Sequence, residues 1–266
     1  MEHGKNQGSL PGRALASLRV LDWLHFLSFP AAGWFVGAEQ PIRLLAAGVA
    51  VAALLLANAF AFNNFHDVAR PQSPWWHRVP LVLSVAPITL LSWTGIGAAV
   101  VFVVISTVYS GPPRLKRLPL VGTLLNAAGF PCLCLLAVSR LSHRSGCLAG
   151  LAGCWVASAQ LIHEGAHRAQ DEPAGLKTTG ILLGSRWTRV AAVTLLLAAS
   201  PLAWRINELA GVAFVGYAGV VAAAAVFFDE SRLRGPYKLL GLLWALVVGV
   251  WMAVPWLKSL SAGFGS

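Results

Sequence analysis

Charge is what this chain has least of: 11% of its 266 residues are Asp, Glu, Lys or Arg, against about 25% in a soluble domain. Acids are scarcer still, ten in all. A soluble globular surface cannot be made from so few. With 57% hydrophobic residues and a mean hydropathy of +0.68, the chain is expected to use lipid as its solvent. Cysteine is also rare. Cys132, Cys134, Cys147 and Cys154 lie in or beside apolar stretches without CxxC spacing, which argues against a thiolate metal knuckle or a redox pair and leaves buried packing. Rossmann, Walker and nucleic-acid motifs do not occur, so no nucleic-acid partner is expected, and the Gly-rich stretches read as helix-packing residues.

What is present is a succession of apolar runs long enough for the bilayer core. They place spans near 18–38, 43–64, 79–96, 97–110, 119–138, 147–168, 187–204, 209–229 and 238–257. The expected fold is all-α and polytopic, with about nine transmembrane helices. A polar tail (1–17) precedes a single transmembrane domain (18–258), and a short tail (259–266) follows it. The first apolar stretch carries Asp22, His25 and Pro30, unlike a cleavable signal peptide. On this map fifteen of the twenty basic residues fall in the N-terminal tail and every second loop. The positive-inside rule then puts the N-terminus and those loops in the cytoplasm of a multi-pass protein of the bacterial inner (plasma) membrane.

The few acids carry the functional signal. Asp22 and the Asp229–Glu230 pair sit near expected helix ends and read as anchors. Asp67 belongs to NNFHDVARPQ (63–72), and Glu164, Asp171 and Glu172 belong to HEGAHRAQDEPAGLKTT (163–179); each segment ends an apolar helix and opens a basic loop. If the first helix continues, Asn63, Asp67 and Arg70 stand at i, i+4 and i+7, with Asn64 three residues before Asp67. If the second runs to about 171 before Pro173 and Gly175 stop it, Glu164, His167 and Asp171 share a face. Two such faces at one membrane side suggest a shared site. Oxygen-rich donors suit Mg²⁺, which keeps waters and shares its shell with substrate phosphates.

His163-Glu164-Gly165-Ala166-His167 also spells HExxH, in which two histidines bind zinc and the glutamate activates water. An intramembrane zinc protease is therefore an alternative. It lacks a downstream third-ligand segment and leaves the NNFHD block and the basic loop at 109–117 unexplained.

Three blocks make the chain resemble the UbiA-type intramembrane prenyltransferases. Asn63-Asn64-Phe65-His66-Asp67 stands where that family has Asn-Asp-x-x-Asp-x-x-x-Asp; Asn63 and Asp67 match, Asn64 replaces one aspartate, and Pro71 falls at the last. Tyr109-Ser110-Gly111-Pro112-Pro113-Arg114-Leu115-Lys116-Arg117 is similar to the family's Tyr-Ser-x-Pro-Pro-x-x-Leu-Lys loop, followed by Gly122, Asn126 and Gly129. His163-Glu164 through Asp171, Gly175, Thr178 and Gly184 resembles the second acidic motif, with His167 where relatives often carry an acid.

The resemblance implies a nine-span helical bundle around a central cavity, with the two motifs facing each other at the cytoplasmic side. It implies a prenyltransferase that moves a prenyl group from a prenyl diphosphate to an acceptor with Mg²⁺. Asn63, Asp67, Glu164 and Asp171 are the expected metal ligands; Asp67, Glu164, His167 and Asp171 are the expected catalytic residues. His167 is a ligand, a donor to phosphate or a base. Asn63, Asn64, Arg70, Tyr109, Arg114, Lys116 and Lys177 are expected to meet the substrate. A cyclase acting on a prenyl diphosphate without acceptor, and a lipid-binding member without catalysis, are the alternatives within the family.

Overall fold

The computed structural model describes residues 18–37, 40–67, 76–173 and 175–235, and the single positions 237, 239, 243, 246, 250 and 254. Helix α1 (Val20–Trp23) leads through a 3-10 turn at Leu24–Leu27 into α2 (Ser28–Val36). There follow α3 (Ile42–Asp67), α4 (Val79–Ile88), α5 (Trp93–Ser110), α6 (Val121–Gly129) and α7 (Pro131–Leu135). Next come α8 (His143–Asp171), α9 (Thr179–Ile206) and α10 (Glu208–Phe227), and residues 230–235 are again helical. No strand occurs among the described residues.

Five of these helices, α3, α5, α8, α9 and α10, are long and apolar enough to cross a membrane. The chain is a multi-pass membrane protein. Each of the first eight expected spans falls on helix; the ninth, 238–257, lies outside the described residues apart from single positions. Two boundaries move. The break expected at 96/97 falls instead at Thr89–Ser92, where the Ser92 hydroxyl accepts from Gly95 N at 3.1 Å and opens α5. The span expected from 187 begins at Thr179 because Thr178 caps it. Hydropathy windows do not register such caps, which are local hydrogen-bond chemistry.

The outer surface is apolar: Val82, Val85 and Trp93 are 68%, 62% and 87% exposed. Lipid covers such a face at no cost, so the interior must be held by close approach of small residues. The wholly buried Leu133, Leu136, Ala137 and Val138 form its centre. Gly33, Gly48 and Gly95 bring α2, α3 and α5 against that segment. A Cβ on Gly33 would lie 1.7 Å from the Cys134 carbonyl oxygen. Because backbone would have to yield, Gly33→Ala is expected to cost at least ~2 kcal/mol, read as a lower Tm in detergent. An unchanged Tm would show that α2 does not pack as described.

Candidate active site

Helix α3 ends at Asp67, α5 at Ser110 and α8 at Asp171, and the connection that follows α8 starts α9. A cavity of about 300 Å³ lies beside these helices and reaches the end of α5 at Ser110, while neither Asp67 nor Asp171 lines it. Asn63, Tyr109, Ser110, Asn126, Gln160 and His163 line it near the helix ends, together with Arg19, Asp22 and Arg234. Leu56, Phe102 and Val156 lie seven residues further into α3, α5 and α8 than Asn63, Tyr109 and His163, a separation of about 10 Å along each helix. Phe26, Phe130 and Trp155 add aromatic walls, with the Phe26 and Phe130 rings 4.3 Å apart. One end of the cavity is polar and the depth is apolar.

At the polar end, the Lys116 ammonium donates to both carboxylate oxygens of Asp67, at 2.6 and 2.7 Å, and to Asn63 Oδ1 at 2.6 Å. The Ser110 hydroxyl donates to the same Asn63 oxygen at 2.9 Å. Lys116 rides on a 3-10 turn, Leu115–Arg117, packed so closely on α6 that a Cβ at Gly122 would meet the Lys116 carbonyl at 2.8 Å. Burial lowers the pKa of this lysine; Asp67 opposes the shift and Arg114 and Arg117 add to it. Arg114 is half-buried with φ 59°. Tyr109 lines the cavity and its hydroxyl oxygen accepts from Asn126 Nδ2 at 3.2 Å. Asn64 is half-buried outside the cavity lining, and Arg70 lies outside the described residues.

The second block divides. Glu164 is 6% exposed, and its carboxylate accepts from Thr123 Oγ1 at 3.2 Å, Gln160 Nε2 at 3.0 Å and Gly180 N at 3.0 Å. It is turned toward α6 and α9, not into the cavity. Gly180 makes this possible: a Cβ there would lie 2.8 Å from Gly165 N and 2.9 Å from the Glu164 carbonyl carbon. Helix α9 is broken four residues later by Gly184, at φ 71°. His163, one position before Glu164, takes the cavity-facing place. His167 lies 4.6 Å from it ring to ring, with Nδ1 at 3.0 Å from Gln170 Oε1 and Nε2 at 2.8 Å from Arg234 Nη1. Asp171 is half-buried at the end of α8, and Lys177 is exposed in the connection to α9.

The structure thus brings together Asn63, Asp67 and Lys116, with Tyr109 and Arg114 nearby, and sets Glu164 apart in a buried network. Asp22 and Glu230, read from the sequence as anchors, are differently placed. Asp22 lines the cavity, paired to Arg19 at 2.6 Å. Glu230 is 5% exposed and accepts from the Ser185 hydroxyl at 2.9 Å. Gln160 was not singled out, although its position four residues before Glu164 on one helix face was visible.

Among the described residues no three His, Cys, Asp or Glu side chains converge. The HExxH string therefore has no third ligand there, and its glutamate is already spent on three donors. The oxygens of Asn63 and Asp67 do converge on a cation, but that cation is the Lys116 ammonium. As built, this cradle suits a single positive charge. Asp171 stands half-buried at the end of α8 and is not among the residues that line the cavity.

A model of the UbiA prenyltransferase family matches residues 75–247. Among solved structures, the chain is similar to a UbiA homolog from Archaeoglobus fulgidus bound to GPP and Mg²⁺, at 17% identity and TM-score 0.73 over 90% of this chain and 99% of that one. It is similar also to a UbiA homolog from Aeropyrum pernix K1 in its apo form, at 19% identity and TM-score 0.68 over 89% and 98%. A third likeness is to digeranylgeranylglyceryl phosphate synthase, at 12% identity and TM-score 0.67 over 91% and 99%. At these identities the likeness is one of fold. No curated protein matches the chain significantly in sequence.

Proposed function

Because the chain belongs to the UbiA prenyltransferase family, we propose that it moves a prenyl group from a prenyl diphosphate to an acceptor inside the bilayer, with Mg²⁺. The observation that carries this reading is the cavity: a cation-bearing polar end joined to an aromatic depth fits a molecule with a charged head and a hydrocarbon tail. The reading treats residues 18–258 as one transmembrane domain and places the polar end in the cytoplasm of a bacterial inner membrane, where fifteen of twenty basic residues are expected.

In this mechanism Arg114 and Lys177 meet the diphosphate, Lys116 supplies fixed positive charge through the Asn63–Asp67 cradle, and Tyr109 donates its hydroxyl proton. Asp171, with His167 beside it, is the carboxylate that would hold Mg²⁺ against diphosphate oxygens, and Glu164 positions α9. When bound, Mg²⁺ stabilises the charge that develops on the leaving diphosphate. The allylic C–O bond breaks with its electron pair going to the diphosphate. The faces of Phe102, Phe130 and Trp155 stabilise the carbocation. The acceptor attacks that carbon and loses a proton to a base at the cavity wall, which His163 and His25 line.

Purified protein incubated with prenyl diphosphates of increasing length is expected to release diphosphate in the presence of Mg²⁺ and to fall to background with EDTA. Release that ignores both the protein and the metal would remove the transferase reading. Release without any acceptor would favour cyclisation instead.

A further inference from the structure

An ammonium group has three hydrogens to donate. Lys116 places all three on acceptors within 2.7 Å, two on Asp67 and one on Asn63. The arrangement is held from several sides. The ammonium can only donate, so the oxygen of the Asn63 amide, and not its nitrogen, is turned to it, and the Ser110 hydroxyl donates to the same oxygen. The Lys116 backbone is wedged against Gly122, and its side chain is only 16% exposed.

The charges close as well. Asp67 contributes one negative charge and Lys116 one positive charge. A divalent ion placed on the same oxygens would face the ammonium at contact distance, with Arg114 and Arg117 close enough for their charges to act on Lys116. Nothing in the cradle offsets that repulsion, because residue 64 is an asparagine.

We propose that the Lys116 ammonium is the permanent cation of the Asn63–Asp67 cradle, standing where a divalent ion would otherwise sit, so that the protein takes a diphosphate with a single divalent ion. This rests on the prenyl diphosphate reading above. Asp67 is then a positioning residue that holds the lysine. Lys116 acts by its fixed charge, since its hydrogens are already placed.

The test counts Mn²⁺ by electron paramagnetic resonance in the complex of full-length protein with a prenyl thiodiphosphate, whose C–S bond resists cleavage. Wild type and Asp67→Asn are each expected to bind one Mn²⁺. Lys116→Met, which empties the cradle of its cation, is expected to bind two, and the double variant one. Two Mn²⁺ in wild type, falling to one in Asp67→Asn, would overturn the assignment, as would a folded Lys116→Met that stays at one. If Lys116→Met does not fold, the wild-type and Asp67→Asn counts decide. If the thiodiphosphate does not bind at all, the substrate reading fails, and Mn²⁺ titration of the ligand-free protein decides the cradle. There, Asp67-dependent binding should appear in Lys116→Met and not in wild type; its appearance in wild type sinks the proposal.

Discussion

Asp67→Ala is expected to lower Mg²⁺-dependent diphosphate release by ~100-fold or more, the loss typical of removing one preorganised electrostatic group from a site where charge develops. The reason lies in what Asp67 holds. With its carboxylate gone, two of the three ammonium contacts of Lys116 vanish and the charge is free to swing away from the cavity. Stability should barely change. The Asp67 side chain is 42% exposed, and an ion pair so close to solvent contributes about 1 kcal/mol at most. The measurement is initial-rate diphosphate release beside thermal unfolding in the same detergent. Retained activity removes Asp67 from the mechanism; a large drop in Tm would make its role structural.

Glu164→Ala is expected to do the reverse and damage the fold first. The truncation strands the Thr123 hydroxyl, the Gln160 amide and the Gly180 N–H, all of which now converge on one buried carboxylate. Each buried donor left without a partner costs about 1–3 kcal/mol, so a total near 3 kcal/mol is expected even after the hydroxyl turns elsewhere. Since Gly180 opens the first turn of α9 against α8, the loss should appear as early proteolysis between residues 171 and 185 and a lower Tm. Glu164→Gln keeps an acceptor and should recover most of the stability. If Glu164→Ala were as stable as wild type, the carboxylate would have to be redirected into the cavity as a ligand.

Much of the architecture was legible because its cause is local or compositional. Apolar run lengths marked the helices, Pro173 and Gly175 marked the end of α8 at Asp171, and the i, i+4 spacing put Asn63 and Asp67 on one face. What could not be read was decided across the bundle. Lys116 meets Asp67 across a sequence separation of 49, and no periodicity connects them. The common face of Glu164, His167 and Asp171 is real as helical geometry. The direction of Glu164 was settled by α9, whose glycine at 180 lets backbone press against α8. A glycine in a sequence shows that close approach is possible and does not say to what. Asp22 shows the same limit: its distance along the chain from every other polar lining residue except Arg19 and His25 hid that α1 leans over the cavity.

The buried carboxylate also settles which way a row of protons runs. Glu164 accepts from the Gly180 N–H and from Gln160 Nε2, so Gln160 turns its NH₂ toward the carboxylate and presents its carbonyl oxygen to Asn126. Asn126 must therefore point its own NH₂ outward, giving one hydrogen to Gln160 at 2.9 Å and the other to the Tyr109 hydroxyl oxygen at 3.2 Å. Tyr109, whose oxygen receives from Asn126, stands with its hydroxyl at the wall of the cavity. Two amides, each ambiguous alone, thus act as a one-way street. Its sense is set at a carboxylate turned away from the cavity, and its outlet is a phenol at the cavity wall.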